Sequence, residues 1–227
     1  MCASSPRPAA RAATGIVPAR NDVSAGSLGA ILLAGGRASR VGGAVKPLFD
    51  VGGITLIGAA VAAVADAGAE PVTAVGPLLD PGLRVGWIRE DPPFAGPTAG
   101  VVAALASWDP SSDPEWTLLL ACDLPAVGAA VRRLVADLPL LPSGSDGMCL
   151  ADASSRPQWL IGVYRTRSLR AAASALPDAG RDAPVRALID ELSIVVVAAP
   201  DDLTRDVDTW EDLEEARARA AQAEETS

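Results

Sequence analysis

At 227 residues, 49% of them apolar and 4% aromatic, the chain suits one α/β domain with a sizeable core of alanine, valine and leucine. Its formal net charge of −9 argues against nucleic acid as a partner, which normally demands a basic face that displaces counterions. Histidine is absent, and with it go Ser-His-Asp, Cys-His and His-ligated metal chemistry.

Residues 1–27 are rich in Ala, Pro, Ser and Arg and lack an apolar signal-peptide core, so a disordered leader is expected there. The apolar run Leu28 to Leu33 ends at Gly35-Gly36 and reads as a buried first strand. Thr55 to Ala67 is of helical length and stops at Gly68. Pro71 to Val75 and Val85 to Arg89 are the second and third strands, with turn-forming Gly76-Pro77 and Asp80-Pro81-Gly82 between them. A helix follows Gly96-Pro97 to about Ser107, then a strand from Trp116 to Ala121. Past Pro125, Val127 to Leu138 fits an amphipathic helix with Arg132 and Arg133 outward. This order predicts a doubly wound, mostly parallel sheet with helices on both faces, and ligands at the carboxyl ends of its strands.

The second half is less regular. Met148 to Ala151 and Gln158 to Tyr164 are expected to pair as a hairpin around Asp152-Ala153-Ser154-Ser155. Arg167 to Leu176 and Val185 to Leu192 read as helices and Ile194 to Ala199 as a strand. Thr209 to about Ala223 forms a charged last helix, with Thr209 as N-cap, Glu211 in the first turn and Asp212 three residues on. No internal repeat or linker divides the chain. One domain is expected over residues 28–216, with 217–227 the end of the last helix and a polar tail.

The three cysteines, Cys2, Cys122 and Cys149, have no paired ligand spacing, and their odd number gives no disulfide framework. Cys122 and Cys149 read as small core fillers in a reduced, cytoplasmic setting. No apolar run approaches the roughly 20 residues of a membrane span, so no membrane partner is expected. Trp87, Trp108 and Trp116 are expected to pack in the core rather than stack on bases. Arg165, Arg167 and Arg181 read as surface charge.

Chemistry concentrates in LAGGRASRVGGAVKP, residues 33–47, where Arg37, Arg40 and Lys46 interrupt an otherwise acidic chain. Lys46 is the only lysine. The stretch is neither a Walker A motif nor a G-x-G-x-x-G fingerprint, since Lys46 is followed by Pro47. Gly35 and Gly36 allow a ligand to approach the backbone, the loop amides form an anion nest, and Arg40 and Lys46 reach over the same phosphates. A surface turn with chance arginines is the competing reading.

A triphosphate bound for chemistry needs a divalent metal, which takes a few carboxylates plus phosphate oxygens and water. Asp123 sits just beyond the exit of the strand Trp116 to Ala121, where ligands bind in this architecture; a turn aspartate before Pro125 is the plainer alternative. Alternation places Asp206 and Asp208 on one side of an extended segment. Asp208 fits a metal ligand and the residue before the Thr209 cap equally. Glu90-Asp91 is a further candidate, or a solvated turn.

In order, Leu33-Ala34-Gly35-Gly36…Ser39-Arg40…Gly42…Lys46-Pro47, Gly96-Pro97-Thr98-Ala99-Gly100, Cys122-Asp123-Leu124-Pro125 and Asp206-Val207-Asp208-Thr209…Glu211-Asp212-Leu213 resemble the MobA-like nucleotidyltransferases. Within that group they are most similar to the molybdenum cofactor guanylyltransferases. The resemblance runs from about Leu28 to Ala216. It implies a Rossmann-like domain of the nucleotide-diphospho-sugar-transferase type, with a nucleoside triphosphate, GTP in the preferred case, and Mg²⁺ on the first loop.

The family's nucleotide loop falls on Leu33, Ala34, Gly35 and Gly36, its loop lysine on Lys46, and Gly96 joins the nucleotide side. Its guanosine-side aspartate matches Asp91, its metal aspartate matches Asp123, and Asp208 is a second metal candidate. The segment Arg156 to Tyr164-Arg165 is similar to the strand bordering the acceptor pocket, which puts Gln158 on the acceptor side, and Asp206 is a second acceptor-side candidate. Arg40, Lys46 and Asp123 are the catalytic candidates.

The implied reaction transfers GMP from GTP to molybdenum-bound molybdopterin and releases pyrophosphate. Implied protein partners are other molybdenum cofactor biosynthesis proteins or molybdoenzyme chaperones. The missing histidine agrees with that chemistry, because a phosphate monoester, with a second pKa of about 6, is already ionised near neutral pH.

The chain also departs from the family. Val45 stands where an acid often precedes the lysine, Gly76-Pro77 replaces a base-contacting Asn, and Asp206-Val207-Asp208-Thr209 replaces Asn-x-Asn-Thr. Three alternatives stay open: cytidylyl transfer to molybdopterin, guanylyl transfer to a phospho-acid, and a nucleotide-binding partner without turnover.

Overall fold

The computed structural model describes residues 26–35 and 43–225. The chain begins with β1 (Leu28–Leu33), followed by a short hairpin of β2 (Asp50–Val51) and β3 (Ile54–Thr55), then α1 (Leu56–Asp66). Next come β4 (Val72–Val75), β5 (Gly86–Ile88), α2 (Pro97–Ala106), β6 (Trp116–Ala121) and α3 (Val127–Asp137). The second half supplies β7 (Gly147–Ala151), β8 (Pro157–Arg165), α4 (Thr166–Ala175), α5 (Val185–Ile189), β9 (Ile194–Ala198), α6 (Asp201–Thr204) and α7 (Trp210–Glu225).

Seven strands form one sheet in the order β5-β4-β1-β6-β8-β7-β9. All run parallel except β8, which is antiparallel to both β6 and β7. The mostly parallel, doubly wound α/β architecture and the β7–β8 hairpin are therefore as the sequence implies. The β2–β3 hairpin is an addition. Its turn is Gly52-Gly53, with φ of 65° and 79°, the positive values that a two-residue hairpin turn requires and that glycine adopts without a Cβ clash.

Period-2 alternation divides the strand side chains between two cores. Ala30, Leu32, Leu118 and Leu120 face α1 and α3 through Ile57, Val64, Val131 and Leu134. Ile31 and Leu119 face α2, α4 and α5 through Val101, Leu105, Leu169 and Leu188. These residues are fully or almost fully buried, and each large side chain contributes roughly 1.5–3 kcal/mol on leaving water. A one-residue slip of β1 or β6 would turn every one of them to the wrong layer, so the register is fixed by burial. A third, smaller cluster lies apart: Val51, Leu56, Val207, Leu213 and Ala216, with Phe49 and Ala220 against it, join the β2–β3 hairpin to α7.

β8 carries a bulge. Cys149 pairs with Gly162, but the next residue, Leu150, pairs with Gln158, while Ile161 still pairs with Leu120 of β6. The Tyr164 hydroxyl, in a fully buried side chain, donates to the Trp159 carbonyl at 2.7 Å and gives a partner to a backbone acceptor within the bulge. Tyr164→Phe is expected to lower stability by about 1–2 kcal/mol, read by urea unfolding. An unchanged midpoint would show that the bulge does not depend on this bond.

Arg165 is less peripheral than its sequence context suggests. Its Nε donates to the Ser145 carbonyl at 3.1 Å, its guanidinium pairs with Glu115 at 3.0 Å, and it stacks 4.3 Å from the Trp116 ring centroid. The planar guanidinium makes all three contacts at once, closing the amino-terminal edge of the sheet. Cys122 and Cys149 are buried and free, and burial pushes both thiols well up, Cys149 to about 12. They are core residues and not nucleophiles.

Candidate active site

The site is built where β1, β4 and β6 end. The backbone leaves β1 between its neighbours: Ala34 N–H donates to the Val75 carbonyl at 2.9 Å, and Cys122 N–H donates to the Leu33 carbonyl at 3.1 Å. Gly76 makes this crossing possible. A Cβ there would come within 3.1 Å of the Ala34 carbonyl carbon and 3.2 Å of the Gly35 nitrogen, too close for a side chain to fit without displacing backbone. Leu33, Ala34 and Gly35 thus stand at the carboxyl edge, as expected of a nucleotide loop. Gly36 and Arg40, together with Arg37, lie outside the described residues.

Asp123 follows β6 and is half-buried. Its carbonyl accepts from Val207 N–H at 2.9 Å, which brings the 206–208 segment alongside from the far end of the chain. Val207 is fully buried in the third cluster, so alternation leaves Asp206 and Asp208 on the other side, over Asp123. One carboxylate oxygen from each of Asp123, Asp206 and Asp208 lies within 4.8 Å of the others. Thr209 caps α7 as expected: its Oγ1 accepts from Asp212 N–H at 3.2 Å, and Asp212 returns the bond by accepting from Thr209 N–H at 2.7 Å. Asp212 also accepts from Asp208 N–H at 3.1 Å. Asp208 therefore precedes the cap and also lies in the carboxylate group.

Lys46 opens a short 3₁₀ turn, Lys46–Leu48, and its Nζ lies 2.5 Å from Asp208 Oδ1. The Phe49 ring packs on Trp210, with centroids 5.2 Å apart. This second contact ties the lysine turn to the start of α7. Neither contact is visible in the sequence, because the partners are about 160 positions apart and no pattern links them. The aromatic character of both Phe49 and Trp210, in a chain with few aromatics, is the one available hint.

Electrostatics follow from the crowding. Burial first, then the neighbouring Asp206, pushes the Asp123 carboxyl up to about 6, with Lys46 opposing. Loss of solvent and the charge of Asp208 raise Asp206 as well. Three converging carboxylates form a hard, oxygen-only donor set of the kind that suits Mg²⁺ or Mn²⁺. An ammonium group already stands among them as a cation. The chemistry of this donor set fits a divalent metal, and Asp123, Asp206 and Asp208 are the carboxylates within reach of it.

The remaining expected residues are more dispersed. Gly96 is the N-cap of α2, with φ of 97°, and Ala95 beside it accepts from Asp182 N–H at 2.8 Å. Asp91 is exposed in the loop after β5 and does not join the carboxylate cluster. Its neighbour Glu90 accepts from Phe94 N–H at 2.9 Å, a turn role. Gln158 lies at the carboxyl edge in β8, but its amide donates to Asp152 at 2.8 Å inside the hairpin loop.

Comparison with known proteins bears on the family and the fold. The family model described as the MobA-like NTP transferase domain matches residues 30–212. A molybdenum cofactor guanylyltransferase of Nitrobacter hamburgensis is 36% identical over 106 residues, 42% of this chain and 47% of that protein. The aligned stretch thus spans about half the length of that relative. Among solved structures, a nucleotidyl transferase from Methanothermobacter thermautotroptrophicus is similar, with a TM-score of 0.65 and 23% identity, covering 87% of this chain and 99% of that one. A Mycobacterium tuberculosis H37Rv protein solved as a manganese complex has a TM-score of 0.59 and 20% identity, covering 85% and 98%. With the family's domain matched from β1 to the start of α7, the chain belongs to the MobA-like NTP transferases.

Proposed function

We propose that the protein is a Mg²⁺-dependent guanylyltransferase that transfers GMP from GTP to molybdenum-bound molybdopterin and releases pyrophosphate. The observation that carries this reading is the convergence, at one sheet edge beside the glycine loop, of the chain's only lysine with Asp123, Asp206 and Asp208. The partial match to a guanylyltransferase supports the choice of base and acceptor.

The acceptor's phosphate oxygen attacks the α-phosphorus of the nucleotide, and the bond from that phosphorus to the bridging oxygen of the β-phosphate breaks. Lys46, with Arg40, holds the β- and γ-phosphates and takes up the charge that builds on the departing pyrophosphate. The loop amides of Leu33 to Gly36 shape the cradle. Asp123 and Asp208 would hold Mg²⁺, which would supply charge neutralisation at the α-phosphate. Asp206 and Gln158 border the acceptor, Gly96 and Asp91 the nucleoside. The acceptor phosphate arrives ionised, so the protein's task is positioning and electrostatics, with no general base. A chain without histidine can do this.

Pyrophosphate release measured with GTP and with CTP, each with and without the molybdopterin acceptor, tests the reading. Release with GTP only when the acceptor is present is the expected result. Release with CTP, or with GTP and a phospho-acid, would move the chain to a sister reaction, which Gly76-Pro77 and the Asp206–Asp208 pair favour. Nucleotide binding without release from any acceptor would remove the catalytic reading.

A further inference from the structure

Lys46 is held where a metal-site cation belongs. Its side chain is 14% exposed and its Nζ touches Asp208 Oδ1 at 2.5 Å, inside the group formed by Asp123, Asp206 and Asp208. The contact is not incidental to the local chain. Phe49 N–H donates back to the Lys46 carbonyl at 2.9 Å, and the Phe49–Trp210 ring pair fastens the same turn to the segment bearing Asp208. The residue before the lysine, Val45, is apolar and 43% exposed and offers no carboxylate, so the charge that faces the ammonium comes from across the site.

An ammonium and a divalent ion cannot share one carboxylate oxygen at this range without strong repulsion, least of all where protein replaces water. Lysine differs from arginine in being a compact charge on a flexible four-carbon stem, so its head can leave Asp208 while its backbone stays in the 3₁₀ turn. The loop that follows β1, where the triphosphate is assigned, ends at this residue.

We propose that Lys46 is the internal counter-cation of the metal site: it occupies Asp208 in the ligand-free protein and exchanges onto nucleotide phosphate when a divalent ion enters. The nucleotide half of this exchange rests on the proposed function; the metal half does not. Metal and nucleotide then load together, each making room or partners for the other, and the coupling is reciprocal. In the metal-free, nucleotide-free site Lys46 keeps Asp208 paired and so weakens the site's hold on stray cations.

The test is Mn²⁺ binding to the full chain, followed by the electron paramagnetic resonance signal of free Mn²⁺. Without nucleotide, Lys46→Met is expected to bind Mn²⁺ at least about tenfold tighter than wild type, in line with the effect of a single neighbouring charge on a carboxylate. Lys46→Gln is expected to do the same, whereas Lys46→Arg, which keeps the charge, stays as weak as wild type. Adding Asp208→Asn to Lys46→Met removes the gain. Thermal melts confirm that each variant is folded.

With GTP present, and after subtracting the Mn²⁺ that GTP binds by itself in a protein-free titration, wild type tightens markedly and Lys46→Met by a smaller factor. Unchanged or weaker Mn²⁺ binding by both uncharged variants overturns the proposal, whether or not GTP binds. A gain in Lys46→Met with no response of wild type to GTP upholds the counter-cation and instead sinks the nucleotide reading.

Discussion

Replacing Lys46 with alanine is expected to lower pyrophosphate release at saturating GTP and acceptor by about a hundredfold or more, the scale of losing one preorganised group that stabilises developing charge. The effect belongs to kcat, because charge on the leaving pyrophosphate appears only as the reaction proceeds, so the loss exceeds any loss of GTP affinity. The fold is expected to tolerate the change. The Lys46–Asp208 pair lies at the site's mouth, with Asp208 37% exposed. After discounting for solvent, its removal costs on the order of 1 kcal/mol or less. Steady-state kinetics beside a thermal melt separates the two effects. Turnover within a fewfold of wild type would falsify the assignment of Lys46 to the leaving group.

Asp123→Asn is the second large change, and its two effects have opposite signs. Activity is expected to collapse by a similar or greater factor, with weakened metal-dependent nucleotide binding, because the amide keeps the shape of the carboxylate but not its charge. Stability of the metal-free protein is expected to rise. The carboxyl of Asp123 is pushed up to about 6 by burial and by Asp206, against about 3.9 in an unfolded chain. The stability it contributes is therefore full below about pH 4 and is lost as pH rises through about 6.

At neutral pH the wild-type protein carries that penalty, and the asparagine variant escapes part of it, on the order of 1–2 kcal/mol. Melting temperatures of the two proteins in chelator should coincide near pH 4 and separate, with the variant higher, by pH 7. Saturating Mg²⁺ should close the gap by stabilising wild type alone. Equal melting temperatures across the whole range would mean that the carboxylate is not strained by its neighbours.

The sequence is most readable where one physical signal acts alone. Leu28 to Leu33 and Trp116 to Ala121 are apolar runs bounded by breakers, and both are strands with those limits. The Asp206–Asp208 pair was legible because alternation about a single buried valine decides which way both carboxylates point. The β2–β3 hairpin was also within reach: Gly52-Gly53 between Val51 and Ile54 is a hairpin-turn signature, obscured by strands of two residues each. What stays hidden is set by pairing at long range. The β7–β8 hairpin is local, but nothing in β8 reveals that its other edge pairs antiparallel with β6, placing it between β6 and β7. Nor does anything near Lys46 in the chain reveal that its partner is Asp208, because that contact exists only after the third cluster has assembled.

That third cluster has a consequence for how the protein fails. Lys46 and two of the three carboxylates are carried by segments fastened through Val51, Leu56, Val207, Leu213 and Ala216, whereas Asp123 alone among them rides on the central sheet. Five small or medium apolar residues hold less free energy than either main layer, so this seam opens at a lower cost than the domain unfolds. Heat would then silence the protein before it denatures, with an inactivation temperature below the melting temperature. A ligand that bridges Asp123 to Asp208 stitches the seam shut, and so brings the two temperatures together.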